Sequence, residues 1–351
     1  MLGGEVFPRG NGEQICMLEV LARLCALATS LRGIAATFVL LLPAQAPAGS
    51  VEQFGPYGPE GPRMREQLWT MPSGTPDSYL RATVFRPADI EDTGSAGIRH
   101  PVVVINHGTS DATRLSVSMP IYYCLSKWFV ERGYVVVLPQ RRGHGATGGQ
   151  LAESVGSCAD PDHFKSGQIA ADDIEAVVEF MSRQPFVAPK ATVVAGVSTG
   201  GWASLALASR NPANVAAVIN FSGGRGGHAG GRRNAVCGEQ RLIDAARDYG
   251  HTARVPTTWI YAENDSYFGP ELATAMASAW KSGGAPVDIH ILPAYGDEGH
   301  EIVNDQAGST FWGAVLDRFL LEHRSQPVAV SSSDIDPEKP VVPASVVAAD
   351  R

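Results

Sequence analysis

Positive charge is scarce in this chain. Lys and Arg number 28 against 36 Asp and Glu, giving a net charge of −8, and no Lys/Arg block stands anywhere in it. That balance argues against nucleic acid and other polyanions as partners. Cysteine is rare as well, with five in the chain, and no Cys/His spacing suggests zinc. There is no G-x-x-x-x-G-K-[ST] loop and no dinucleotide fingerprint after a first strand, so neither a metal nor a nucleotide cofactor is expected. No internal repeat is present. The apolar run Gly33–Leu42 is too short to span a bilayer comfortably, and no stable membrane anchor is expected.

What is present is a long globular stretch. The chain has 351 residues, 44% of them hydrophobic and 18% charged, ample for one large core. Apolar runs of strand length alternate with amphipathic runs of helix length, which predicts an α/β fold with a mostly parallel twisted sheet covered on both faces. The clearest helix runs from Ser166 to Met181, where the spacing of Ile169, Asp173, Ala176, Val177 and Phe180 gives one apolar side interrupted by Asp173. Met276 and Trp280, four apart after Pro270, read as core contacts. Residues 1–48 read as a signal peptide, with Gly33–Leu42 as its apolar core and Ala46-Pro47-Ala48 as an A-x-A-like cleavage site. Translation from Met17 gives a more ordinary signal, and a buried or amphipathic N-terminal helix is the alternative. The Pro- and Gly-rich residues 49–65 read as a flexible lead-in, 66–324 as the catalytic domain and 325–351 as a disordered tail.

The chemistry is concentrated at Gly196-Val197-Ser198-Thr199-Gly200. It follows the apolar run Ala191–Ala195 and precedes the helix-like stretch Gly201–Ala208. Strand, tight turn carrying Ser, then helix is the context in which G-x-S-x-G presents a nucleophile, and the glycines remove the clash a strained turn creates. A Ser nucleophile needs a base and a group that orients it. Val255–Ala262 reads as a strand leading to Asp265, the expected orienting acid. Val287–Leu292 reads as a strand leading to His300, the expected general base. Glu263, Asp297 and Glu298 compete for the acid role, and His290 and His323 for the base. Backbone amides of Thr199 and Thr109 are the expected oxyanion donors, Thr109 because it follows the strand Pro101–Asn106 and the turn at Gly108. His107 reads as a loop-packing residue. Arg141-Arg142-Gly143-His144-Gly145 either borders the leaving-group side of the pocket or pins loops through backbone carbonyls.

These features, with Val135–Gly145, Ile219–Gly224 and Trp259–Phe268, resemble the dienelactone-hydrolase-like carboxylesterases of the α/β-hydrolase superfamily. They also resemble the prolyl-oligopeptidase catalytic domain. The resemblance covers Glu66 to His323 and implies an α/β-hydrolase fold of about eight strands without a large cap domain. It further implies a cofactor-free serine esterase acting on short-chain or aryl esters, its partner a small-molecule ester. One departure stands out: dienelactone hydrolases use Cys as nucleophile, and here the position is Ser198. Ester hydrolysis in general follows, dienelactone hydrolysis as such does not. The alternatives are a serine peptidase of prolyl-oligopeptidase type and a non-catalytic binding protein on a hydrolase scaffold.

For the pocket, Trp202, Tyr267, Phe268 and Arg225 are the candidate substrate-binding residues, with packing of the helix onto the sheet as the alternative for Trp202 and a solvated loop position as the alternative for Arg225. The glycine-rich segment Gly223–Arg233 is expected to border it as a mobile or closely packed flap. Export to the periplasm or outside the cell would remove Cys16 and Cys25 with the signal and leave Cys124, Cys158 and Cys237. Cys158 and Cys237 lie in polar loops and form the candidate bridge, while Cys124 reads as a buried thiol.

Overall fold

Side-chain alternation along the apolar strands divides the core into two layers. Val102, Val104, Val135, Val137, Val194, Trp259 and Tyr261 face one layer. Their neighbours Val103, Ile105, Val136, Leu138, Val193 and Ile260 face the other. Successive residues of a strand point to opposite faces, so strands apolar at every position belong to a sheet buried on both sides. The computed structural model describes residues 54–88, 98–109, 114–115, 122–304, 306–323 and 328–329. The expected signal segment, with Cys16 and Cys25, lies outside the described residues.

In chain order the strands are β1 (Gly55–Tyr57), β2 (Gln67–Pro72), β3 (Tyr79–Phe85), β4 (Ile98–Asn106), β5 (Val135–Gln140), β6 (Val187–Val197), β7 (Val215–Phe221), β8 (Thr257–Ala262), β9 (Asp288–Leu292) and β10 (Val328–Ala329). They pair in the order β1-β2-β3-β5-β4-β6-β7-β8-β9, and β10 joins the start of β4. From β5 through β9 the neighbours run parallel, whereas β1, β2 and β3 pair antiparallel and β3 pairs antiparallel with β5. Two sequence expectations change here. The lead-in contains β1, whose Pro56 is tolerated because an edge strand needs no donor on its open side. The segment expected as a disordered tail supplies β10.

Among the described residues six helices cover the faces: α1 (Tyr123–Val130), α2 (His163–Ser182), α3 (Thr199–Ala208), α4 (Glu239–Thr252), α5 (Pro270–Ser282) and α6 (Ser309–Glu322). Helices α2 to α5 pack on one face and α1 and α6 on the other. Met276 and Trp280 of α5 are fully buried. The buried side of α2 is rotated from the expected one. It centres on Ala170, Ile174, Val177, Val178 and Met181, while Ile169, Ala176 and Phe180 are half-buried. Asp173 is buried beside that face. Its carboxylate turns inward to accept from the amides of Gly74 and Arg142, at 2.9 Å each, and from Arg142 Nε at 2.7 Å.

Among the described residues no separate domain caps the carboxyl ends of the parallel strands, and no helix is long and apolar enough to cross a membrane. Cys158 and Cys237 form a disulfide across 79 residues, tying the loop after β5 to the loop before α4. Cys124 is a buried thiol on α1. Reducing the bridge should lower the unfolding free energy by about 2–4 kcal/mol, read from urea unfolding with and without reductant. An unchanged midpoint would show that the bridge carries no stability.

Candidate active site

Strand β6 ends at Val197 and α3 begins at Thr199, leaving Ser198 alone to make the turn with φ 56° and ψ −123°. A non-glycine residue held there costs about 1–3 kcal/mol and needs surroundings that over-determine it. They do so through glycine. A Cβ on Gly196 would lie 2.2 Å from the Gly200 carbonyl oxygen, and one on Gly200 would lie 2.2 Å from that of Asn106. The backbone is also pinned by hydrogen bonds. Ser198 N donates to Phe221 O at 3.0 Å, and Ser198 O accepts from Trp202 N at 3.0 Å and Gly224 N at 3.2 Å. The side chain is thereby left facing a cleft of about 280 Å³, lined also by Gly108, Thr109, Tyr122, Tyr267 and His300.

Asp265 and His300 meet beside that cleft. His300 Nδ1 lies 3.1 Å and 3.2 Å from the two Asp265 carboxylate oxygens. A carboxylate only accepts, so Nδ1 carries the proton and Nε2 is the ring nitrogen left for the cleft. The carboxylate is 2% exposed and accepts from Tyr267 N at 2.8 Å and Phe268 N at 3.0 Å. Burial alone pushes Asp265 up; the hydrogen bond and charge of His300 and the two amides outweigh it and hold the carboxyl below its ordinary range. The position of His300 depends on Gly299, where a Cβ would lie 2.5 Å from Asn264 Oδ1 and 2.7 Å from Ala262 Cβ.

The competing residues take other places. Glu263 and Asp297 are exposed. Glu298 accepts from Ser266 N at 2.9 Å, Ser266 Oγ at 2.5 Å and His300 N at 3.2 Å, clamping the two loops that carry Asp265 and His300. His290 pairs with Asp288 on β9. His323 stacks edge-on against Phe319 at the end of α6.

Of the four candidate pocket residues, only Tyr267 faces the cleft. Its ring stacks on His300 with centroids 4.3 Å apart, and on His228 at 3.5 Å. Trp202 is fully buried and donates from Nε1 to His163 O at 2.9 Å, a core role that removes it from the pocket. Phe268 is 1% exposed and packs under Gly224, where a Cβ would lie 2.6 Å from its ring. Arg225 points inward to Glu153, at 3.4 Å, and is not available for a substrate carboxylate. The flap is closely packed over Gly223–Gly227: at its last two positions, Gly226 and Gly227, Cys237 and Tyr267 lie within 3.0 Å of where a Cβ would stand.

The loop after β4 runs against the nucleophile, since a Cβ on Gly108 would lie 3.1 Å from Ser198 Cβ and 3.6 Å from its Oγ. Thr109 is next in that loop. Thr199 is the first residue of α3, where an amide has no intrahelical partner and the helix dipole favours negative charge. The two threonine side chains touch, Thr199 Oγ donating to Thr109 Oγ at 2.9 Å. Tyr122, which the sequence did not single out, lines the cleft and accepts from Gly108 N at 3.2 Å. His107 packs the loop: its Nδ1 donates to Gly108 O at 2.7 Å and its Nε2 accepts from Arg141 N at 3.2 Å. Burial first, and then the charge of Arg141, hold it well below the ordinary imidazole range. Among the described residues no group of three His, Cys, Asp or Glu side chains is placed to hold a metal ion.

The sequence matches the dienelactone hydrolase family over residues 93–320. No curated protein matches it. Among solved structures, the fold is similar to that of an acylaminoacyl peptidase from Pyrococcus horikoshii, with a TM-score of 0.53 and 16% identity over 79% of this chain and 42% of that one. Dipeptidyl peptidase 4 from Porphyromonas gingivalis gives a TM-score of 0.54 and 16% identity over 74% of this chain and 36% of that one. An esterase from Pyrococcus furiosus gives 0.52 and 15%, over 76% of this chain and 96% of that one. This chain thus spans less than half the length of the two peptidases. At such identities the likeness is one of fold.

The packing at the turn makes a direct prediction. Gly200→Ala should destabilise the protein by about 1–3 kcal/mol, the cost of overpacking a tight site, as measured by urea unfolding. A variant as stable as the wild type would mean that the turn is loosely packed.

Proposed function

The chain belongs to the dienelactone hydrolase family, and on that premise we propose that it is a serine hydrolase cleaving carboxylic esters by two-step acyl transfer. The observation that carries this reading is the meeting, at one cleft, of a strained Ser198 with a His300 whose Nδ1 is held by Asp265. His300 takes the Ser198 proton as Oγ attacks the ester carbonyl. The amides of Thr109 and Thr199 receive the developing oxyanion, and Asp265 steadies the imidazolium. His300 then protonates the leaving alcohol, and water repeats the sequence on the acyl-enzyme.

Substrate size follows from the cleft. At about 280 Å³ it lies at the small end of small-molecule sites, which favours short acyl groups, and the exposed edge of Tyr267 favours an aryl ester beside it. The Cys158–Cys237 disulfide supports an oxidising compartment. Together with the apolar run Gly33–Leu42 and Ala46-Pro47-Ala48, it favours export to the periplasm or outside the cell.

Labelling with a fluorophosphonate probe should fall on Ser198, and p-nitrophenyl esters of increasing chain length should show a short-chain optimum. Ser198→Ala should lower kcat on the order of 10³-fold or more with the fold intact. Near-normal turnover in that variant would sink the assignment. Peptide substrates cleaved faster than esters would turn the reading to a peptidase, and a folded wild type that takes no label would turn it to a binding protein.

A further inference from the structure

A buried charge cluster lies behind the two threonines, and acyl transfer by the triad gives it no task. Arg141 is fully buried. Its Nε donates to Glu153 Oε2 at 2.7 Å, its Nη2 to Glu153 Oε1 at 3.1 Å and its Nη1 to His107 O at 2.8 Å. Arg225 Nη1 reaches the same Oε1 at 3.4 Å, and the Glu153 side chain is 2% exposed. The cluster touches the oxyanion loops directly. Thr109 Oγ lies 3.1 Å from Glu153 Oε1 and 2.9 Å from His144 Nε2. Arg141 Nη2 lies 3.5 Å from both Thr109 Oγ and Thr199 Oγ.

Proton counting shows how tightly this is set. His144 Nδ1 donates to Arg141 O at 3.2 Å, so its Nε2 accepts. Burial, then Arg141, lower the affinity of His144 for a second proton. Thr109 Oγ accepts from Thr199, and its single proton is divided between His144 Nε2 and Glu153 Oε1. One carboxylate therefore joins Arg141 after β5, Arg225 after β7 and Thr109 after β4, with Thr199 of α3 tied in through Thr109. Two guanidiniums face one carboxylate, which leaves a surplus positive charge behind both amides. Held in a buried cluster, such a charge acts on a developing anion more strongly than it would in solution.

We propose that Glu153 is a positioning residue of the oxyanion hole: it fixes Thr109, and Thr199 through it, while the surplus charge of Arg141 and Arg225 favours the oxyanion. The inference rests on the acyl-transfer reading of Ser198. It gives Arg141 and His144 of the Arg141–Gly145 motif a task that neither substrate contact nor simple loop pinning describes. It also explains why Arg225 is withheld from the cleft.

The test uses the full-length oxidised protein with Glu153→Gln, Thr109→Val and Arg225→Met. Active sites are counted with the fluorophosphonate probe, and kcat and KM for p-nitrophenyl acetate are taken per titrated site alongside thermal unfolding. Glu153→Gln and Thr109→Val should lower kcat per site by about 10- to 100-fold, with KM moving less than about threefold, as losses felt mainly in the transition state do. Arg225→Met should show the same pattern with a smaller loss. Unchanged kcat per site with a lowered melting temperature would make the cluster a structural pin and overturn the proposal. Should Glu153→Gln fail to fold, Thr109→Val still decides, because it removes one hydroxyl and no charge. A folded wild type that takes no label would overturn the hydrolase reading, and this inference with it.

Discussion

Ser198 can hold a left-handed backbone only because the chain around it has no side chains to obstruct the turn. The carbonyl of Gly200 stands where a Cβ on Gly196 would be, and that of Asn106 where one on Gly200 would be. This contact does more than permit the turn. It sets the depth at which α3 lies on the sheet and presses the end of β4 against the end of β6. The amide of Thr199, the loop through Gly108 to Thr109 and the Ser198 side chain are therefore placed by one packing constraint. The strain is local, about 1–3 kcal/mol, and buried strands on both sides of the turn sustain it.

Around the turn, loops from five strand ends are fastened by polar contacts at their bases. Glu298 joins the Asp265 loop to the His300 loop. Glu153 joins the loops after β4, β5 and β7. The buried Arg141–Glu153 pair is a poor source of net stability, since desolvating its charges offsets much of their attraction, yet breaking it leaves a buried charge unpaired at a cost of about 3–5 kcal/mol. Both sets of contacts act instead to specify geometry. In the absence of a cap domain among the described residues, they tie the rim of the cleft together while leaving its mouth open to solvent.

The elbow, the acid and the histidine were legible in the sequence because each follows an apolar strand whose pattern is local. Strand, Ser between glycines, and helix occupy adjacent positions, and Asp265 and His300 sit just past β8 and β9. Glu153 was not legible. It lies in a polar loop with no periodicity, and its partners are brought to it by the ends of three separate strands. Trp202 was a pocket candidate because it stands next to the elbow, with packing of its helix onto the sheet as the other reading; all of α3 is buried, and a helix apolar all round gives no phase to say which side meets the cleft. Tyr267 and Phe268 are adjacent, and the turn that offers their amides to Asp265 sends one ring to the cleft and the other to the core. Arg225 could be read correctly only with Glu153 known. Asp173, read as an interruption of the apolar side of α2, is buried with it, because Gly74 and Arg142, distant in sequence, satisfy its carboxylate. Strand β1 hid in a Pro- and Gly-rich stretch, since three residues at a sheet edge need little β propensity.

The claim on which all of this rests is that Ser198 forms a covalent acyl intermediate. Rapid mixing with p-nitrophenyl acetate, acid quenching and peptide mass spectrometry test it most directly. The account predicts a burst of p-nitrophenol matched to the enzyme present, with the acetyl group on the peptide carrying Ser198. Steady turnover without a burst, and with that peptide unmodified at every quench time, would contradict it.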